Sequence, residues 1–279
     1  MRDAAAALAA AGIDNVRFEA RLLLAHAAGL SAEQLIARGA EPAPAGVAKA
    51  LRALTARRVG REPMAYVLGE REFWGLPFKV SPAVLVPRPD SETLIEAALA
   101  LMPDRQRPWR ILDLGLGSGC LLLTLLREYP AARGVGLELS GGALAVASAN
   151  AEALGVAGRA ELVLGDWRQP HWHEQLQGPF DLIVSNPPYI EADAIERLMP
   201  EVARFEPKLA LDGGPDGLAA YRYIATAAPA LMAPDGHLLV EVGVGQVPEI
   251  SKIFASAGLW APVCWKDLAG IDRVISLTH

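Results

Sequence analysis

Cysteine is nearly absent from this 279-residue chain: there are two, Cys120 and Cys264. Two thiols build neither a disulfide framework nor a zinc set, so both are expected to be reduced and no metal site is expected. Aromatic residues are sparse, at 6%. No apolar run reaches the roughly 18–20 residues that a membrane helix requires. The Ala-rich start, Met1 to Ala11, carries Arg2 and Asp3 and has no long Leu/Val core. That argues against a signal peptide and for a cytoplasmic protein without a membrane partner. An excess of cations is missing too, with 26 Lys+Arg against 32 Asp+Glu. Binding a long duplex needs clustered cations, so no direct nucleic-acid partner is expected. What remains is a globular composition, 52% hydrophobic and 21% charged. An acidic monomer is expected, either one large domain or a standard domain with a smaller companion.

The chain reads as three stretches. Residues 1–72 follow a helical pattern, with Val16, Ala20, Leu23, Leu24 and Ala27 at helix spacing. Ser31 with Gln34 has the form of a capping box, and Val47, Leu51, Leu54 and Val59 resume the pattern after Pro42 and Pro44. Such short amphipathic helices pack as a small bundle, either a structural cap or a substrate-docking domain. Residues 73–90 read as a hairpin with its turn near Gly75-Leu76-Pro77, then a stiff connector in which Pro87 and Pro89 flank Arg88, either a bridge between parts or a rigid wall beside the active site. From 91 to 279 strands and helices alternate, which predicts an α/β fold. Its sheet is mostly parallel and its ligands sit beyond the carboxyl ends of the strands.

Two groups of residues in this last stretch carry chemistry. Gly115-Leu116-Gly117-Ser118-Gly119 follows the strand Ile111–Leu114 and opens a helix. Glycines there let the backbone turn tightly and approach a ligand closely. The dinucleotide fingerprint would place its last glycine at position 120, which is Cys120. Glu138 ends the second strand, where a carboxylate accepts from both hydroxyls of a ribose. Together they predict a nucleoside cofactor, and S-adenosylmethionine fits better than a dinucleotide because there is no seat for a pyrophosphate. After the third strand, Asp166 is placed to address an adenine edge and Trp167 to cover its face.

The second group is Asn186-Pro187-Pro188-Tyr189, at the end of the strand Phe180–Val184. Asn186 offers a side-chain carbonyl. Pro187 offers a main-chain carbonyl without an N–H, and Pro188 keeps residue 187 extended. Two acceptors converging on one NH2 group, with Tyr189 against the plane that carries it, would favour a pyramidal nitrogen with an available lone pair. This suits methyl transfer to either an amide or an aryl amine. His171-Trp172-His173 is read as a polar loop. Glu241 and Gln246 are read as supporting or packing residues. Arg273 is a candidate partner for an internal carboxylate, and no general base is assigned.

The glycine loop with Glu138 resembles the cofactor site of class I S-adenosylmethionine-dependent methyltransferases. The Asn186–Tyr189 motif is shared by adenine-N6 and protein glutamine-N5 enzymes. Further segments, Val86-Pro87-Arg88-Pro89-Asp90-Ser91-Glu92, Phe205-Glu206-Pro207, Gly213-Gly214, Gly217-Leu218 and Val240-Glu241-Val242-Gly243 with Gln246, resemble the peptide chain release factor N5-glutamine methyltransferase family. The resemblance implies a seven-stranded methyltransferase sheet with an N-terminal helical domain. It also implies methylation of the glutamine in the Gly-Gly-Gln loop of release factors. By position, Gly115, Gly117 and Gly119 would line the methionine part of the cofactor, with Leu116 and Ser118 in the same loop. Glu138 would hold the ribose and Trp167 flank the adenine. Asn186, Pro187, Pro188 and Tyr189 would hold the substrate amide. The alternatives are a ribosomal-protein glutamine methyltransferase and, more distantly, a DNA or RNA adenine methyltransferase. Asp90-Ser91-Glu92 departs from the Glu-Thr-Glu common in the family.

Overall fold

Apolar residues spaced three and four apart give five short helices among the described residues of the first 70. A computed structural model of the protein describes residues 1–38, 41–44 and 46–279. Gly39, Ala40 and Ala45, inside the stretch read as helical, lie outside the described residues. The chain divides into two compact units. One comprises residues 1–70 and 199–205, the other 71–198 and 206–279.

The smaller unit holds α1 (Arg2–Ala10), α2 (Val16–Ala28), α3 (Ala32–Ala37), α4 (Val47–Val59) and α5 (Met64–Leu68), joined by the short helix Pro200–Phe205. The capping box that opens α3 is formed in both directions: the Gln34 N–H donates to Ser31 Oγ and the Ser31 N–H to Gln34 Oε1. Leu8, Ala20, Leu23, Leu51 and Val67 form the core. Charge is buried beside it. Arg58 donates to Glu19 at 2.8 Å and to Glu201 at 2.9 Å, and Arg61 donates to Glu201 at 3.0 Å. Burial pushes the Glu201 carboxyl up, but the two arginines outweigh it and hold the group below its ordinary value.

The larger unit begins with the hairpin of β1 (Glu70–Phe73) and β2 (Leu76–Lys79). Its turn is Trp74-Gly75, one residue earlier than expected, with φ of +55° and +70°. Two residues at positive φ match the twist of a two-residue hairpin. Trp74 is held there by Glu92, which accepts its N–H at 2.9 Å, and by Glu128, which accepts its indole N–H at 2.9 Å. Pro77 lies within β2 and not in the turn. Phe73 and Phe78 are buried edge to face, so this segment belongs to the core of the unit.

After it come α6 (Glu92–Leu101), β3 (Arg110–Leu114), α7 (Cys120–Glu128), β4 (Arg133–Glu138), α8 (Gly141–Ala153), β5 (Ala160–Leu164) and β6 (Phe180–Ser185). Past Pro200–Phe205 (α9) follow α10 (Ala219–Leu231), β7 (Met232–Glu241), α11 (Val247–Ser256), β8 (Trp260–Lys266) and β9 (Asp272–Thr278). The strands make one seven-stranded sheet in the order β5-β4-β3-β6-β7-β9-β8. All pairs are parallel except those of β9, which runs antiparallel between β7 and β8. This is the expected mostly parallel α/β sheet.

Both faces are covered, one by a core around Leu94, Ile95, Leu122 and Leu125, the other by one around Tyr221, Ile224, Ile250 and Phe254. Strand order reverses at β3 and β6: the chain leaves β3 toward β4 on one side, and β6 lies on the other. A crevice at such a switch point is where open α/β sheets bind ligands. Among the described residues no helix is long and apolar enough to cross a membrane.

Candidate active site

The loops that follow β3, β4, β5 and β6 meet at one end of the sheet and enclose a cavity of about 320 Å3. Gly115, Leu116, Gly117 and Ser118 line it from β3, and Glu138 from β4. Asp166 and Trp167 contribute from the loop after β5, and Asn186 and Pro188 from the end of β6. Residues as far apart as 115 and 188 thus share one wall system, as the strand-end argument requires. Arg88 and Ser91 line it from the Pro-flanked segment.

Backbone hydrogen bonds fix the glycine loop. The N–H groups of Gly115 and Leu116 both donate to the Leu137 carbonyl, at 2.9 and 3.1 Å. The Gly117 N–H donates to one carboxylate oxygen of Glu138 at 2.8 Å, and the Ser140 N–H to the other at 2.9 Å. Each oxygen keeps acceptor capacity for a ligand hydroxyl. Gly115 has φ of +82°, and a Cβ there would lie 3.1 Å from the Trp167 ring. A side chain at 115 would therefore be strained and would crowd the indole.

Gly119 differs from the expectation that all three glycines line the cavity. A Cβ on it would meet Leu123 at 2.8 Å and Ala147 at 3.5 Å. At φ of +81° it opens α7, and the absence of a side chain leaves room there for Leu123 and for Ala147 of α8. The Asp166 side chain borders the cavity, and both its oxygens accept from the Arg168 guanidinium, at 2.8 and 2.9 Å. Those bonds hold its carboxyl below the ordinary value.

At the end of β6, the Ser185 hydroxyl donates to the Leu114 carbonyl at 2.6 Å, which ties the base of the Asn186 motif to the base of the glycine loop. The Asn186 side-chain NH2 donates to Ser91 Oγ at 3.1 Å. No described residue donates to its Oδ1. Pro187 is buried and Tyr189 half-buried, and neither lines the cavity. The Tyr189 hydroxyl donates to Glu241 at 3.3 Å, and burial keeps it protonated by pushing its pKa up. Gln246 Nε2 donates to the Tyr189 carbonyl at 3.0 Å. Gly217, at φ of +70°, sits so close that a Cβ would be 2.5 Å from that carbonyl.

Burial pushes three further groups up. Cys120 lines the cavity, and its thiol rises to about 12, which keeps it protonated and disqualifies it as a nucleophile. Asp113, at the root of the glycine loop, rises to about 7, with Leu122 N–H as its donor and one oxygen unpaired. Glu206 rises through burial although Arg88 donates to it at 2.6 Å.

Ser91 carries more here than sequence reasoning gave it: it joins the Asn186 site, and its only signal in the sequence was a place inside a short segment that resembles one family. Arg88 lines the cavity from the stiff Pro-flanked segment, and Glu241 supports the site through Ser91 and Tyr189. His171 pairs with Glu174 at 2.9 Å, and the Trp172 ring enters the core. Arg273 pairs with Asp267 at 3.0 Å and Asp90 at 3.3 Å.

The seven-stranded sheet with one reversed strand and this strand-end cavity define a class I methyltransferase fold. The model of a methyltransferase domain matches residues 111–206, and that of the PrmC N-terminal domain matches residues 1–69. The hMettl16 catalytic domain has the same fold, with a TM-score of 0.61 over 81% of this chain and 80% of that one, at 13% identity. The release factor glutamine methyltransferase of Cereibacter sphaeroides is 47% identical over 99% of this chain and 96% of its own. That of Geobacter sulfurreducens is 43% identical over 96% and 91%. The chain belongs to the release factor glutamine methyltransferase family.

Proposed function

We propose that this protein transfers a methyl group from S-adenosylmethionine to the side-chain amide N5 of the glutamine in the Gly-Gly-Gln loop of peptide chain release factors. The observation that carries the reading is the presence, in the lining of one cavity, of a carboxylate at the end of β4, Glu138, and a side-chain amide at the end of β6, Asn186.

The residues fit the cofactor. Gly115, at positive φ beside the Trp167 ring, brings bare backbone to the cavity where a Cβ would crowd the indole. When bound, the cofactor supplies an electrophilic methyl group on a sulfonium. The remaining work belongs to the protein. Glu138 holds a ribose, with Gly117 N–H orienting its carboxylate. Trp167 covers the adenine, and the backbone of Asp166 borders it. Asn186 Oδ1 and the Pro187 carbonyl accept the two amide hydrogens of the glutamine, and Pro188 stiffens that pair. Tyr189 borders the amide, its ring held by the Glu241 hydrogen bond.

Fixing both hydrogens orients the nitrogen lone pair and removes the solvent rearrangement that transfer would otherwise need. The product amide releases its extra proton to water. Residues 1–72 act as a substrate-docking domain, and the enzyme works in the cytoplasm as a monomer.

The test uses labelled S-adenosylmethionine with unmethylated release factor, ribosomal protein and DNA as acceptors, and mass spectrometry to locate the methyl group. One added methyl on the Gly-Gly-Gln glutamine is expected. Transfer to ribosomal protein or DNA instead would overturn the substrate assignment.

A further inference from the structure

Behind Asn186 lies a chain of hydrogen bonds that the glutamine clamp does not itself require. A serine hydroxyl has one hydrogen to give. That of Ser91 points to Glu241 Oε2, 2.5 Å away. With its hydrogen committed, Ser91 Oγ can only accept, and what it accepts is the Asn186 NH2 at 3.1 Å. The carboxylate is held in turn by the Tyr189 hydroxyl on its other oxygen, while the Tyr221 hydroxyl donates to the Glu241 main-chain carbonyl at 2.8 Å. Both Ser91 and Glu241 are buried, 2% and 1% exposed.

An asparagine amide has two nearly isosteric orientations. One presents a carbonyl to the cavity. The other presents an NH2, which would meet the hydrogens of a substrate amide donor to donor. We propose that Ser91 and Glu241 are positioning residues that fix the Asn186 amide with its carbonyl toward the substrate, by dictating the direction of every hydrogen bond behind it. The inference rests on the glutamine-clamp reading above.

A protonated Glu241 loses this control, because it can donate to Ser91 and free the serine hydrogen for Asn186. Burial pushes Glu241 up to about 7, opposed by the Ser91 hydrogen bond, the Arg273 charge and the Tyr189 hydrogen bond, and reinforced by the Asp90 charge. Cys120 and Tyr221 also face it, and burial keeps both protonated. Methyl transfer therefore falls as pH drops through about 7. Stability runs the other way. A carboxyl raised by folding contributes most below its unfolded value, and the contribution is lost as pH rises through about 7.

The experiment compares wild type, Ser91→Ala, Ser91→Thr and Glu241→Gln, with release factor as acceptor. Cofactor affinity is measured by calorimetry, and the Asn186 side-chain NH2 is followed by 15N NMR in the free protein. Ser91→Ala is expected to lower kcat about ten-fold, the size of one lost net hydrogen bond, with little change in KM or cofactor affinity. It and Glu241→Gln abolish the acid limb near pH 7. Ser91→Thr, which keeps the hydroxyl, restores both rate and limb. A wild-type kcat or an unchanged acid limb in Ser91→Ala overturns the proposal, as does a Ser91→Thr enzyme as slow as Ser91→Ala. A wild type that methylates no Gly-Gly-Gln glutamine defeats the substrate reading instead. The NMR then decides the positioning role alone: an Asn186 NH2 with no contact to Ser91 ends it. If Ser91→Ala does not fold, Glu241→Gln and the wild-type spectrum carry the same decision.

Discussion

Both units of this protein bury charge, and they do it in opposite ways. In the smaller unit Glu201 meets two arginines, and Arg58 meets two glutamates. Each ion of this network has a counter-ion in hydrogen-bond contact, so Glu201 is held below its ordinary value. In the larger unit Glu241 and Asp113 are buried more deeply, each 1% exposed against 8% for Glu201, and their hydrogen-bond partners are hydroxyls and a backbone N–H. Both rise to about 7. Paired buried ions hold helices in place and do not titrate near neutrality. Buried acids without a contacting cation are poised, and here they stand at the root of the cavity. Depth of burial enters as well: Glu206, also in the larger unit, is pushed up by burial although Arg88 donates to it.

The sharpest way to break this comparison is to remove one ion from the paired set. Arg58→Met leaves Glu19 and Glu201 without their shared partner and should cost about 3–5 kcal/mol of stability. Denaturant unfolding followed by circular dichroism measures it, and a loss under 1 kcal/mol would show the network to be dispensable. Because Glu201 is held low, its contribution is present above the ordinary carboxylate value and fades as pH falls through its lower folded value.

A smaller effect, on rate and not on stability, is expected from Asn186→Ala. Losing one preorganised acceptor should cost roughly 2–4 kcal/mol of barrier, by analogy with an oxyanion-hole donor. Cofactor affinity should stay nearly intact. Single-turnover kinetics beside calorimetry would separate the two, and a near-wild-type rate would sink the amide clamp.

The smallest of the three concerns Glu138→Ala. Charged hydrogen bonds are worth about 1.5–3 kcal/mol, so cofactor affinity should weaken roughly 10- to 100-fold while the saturated rate changes less. An unchanged dissociation constant would remove Glu138 from the ribose role.

Much of the larger unit could be read along the chain. The alternation of strands and helices predicted the mostly parallel α/β sheet, and the strands at Ile111–Leu114 and Phe180–Val184 were read directly, because burial on both faces demands continuous apolar runs. Gly115, Glu138 and Asn186 could be placed at strand ends for the same reason. The errors were local. The hairpin turn fell on Trp74-Gly75 because Glu92 and Glu128 stabilise a tryptophan at positive φ, and both come from distant helices.

What the sequence determined by itself is the periodicity, and with it the elements, the parallel sheet and the edge where ligands bind. What only the tertiary structure decided is which polar groups meet. Ser91 reaches Glu241 across 150 positions and Asn186 across 95. Periodicity is a property of neighbours along the chain, whereas the direction of a buried hydrogen bond depends on every donor and acceptor that folding brings within 3 Å or so of it.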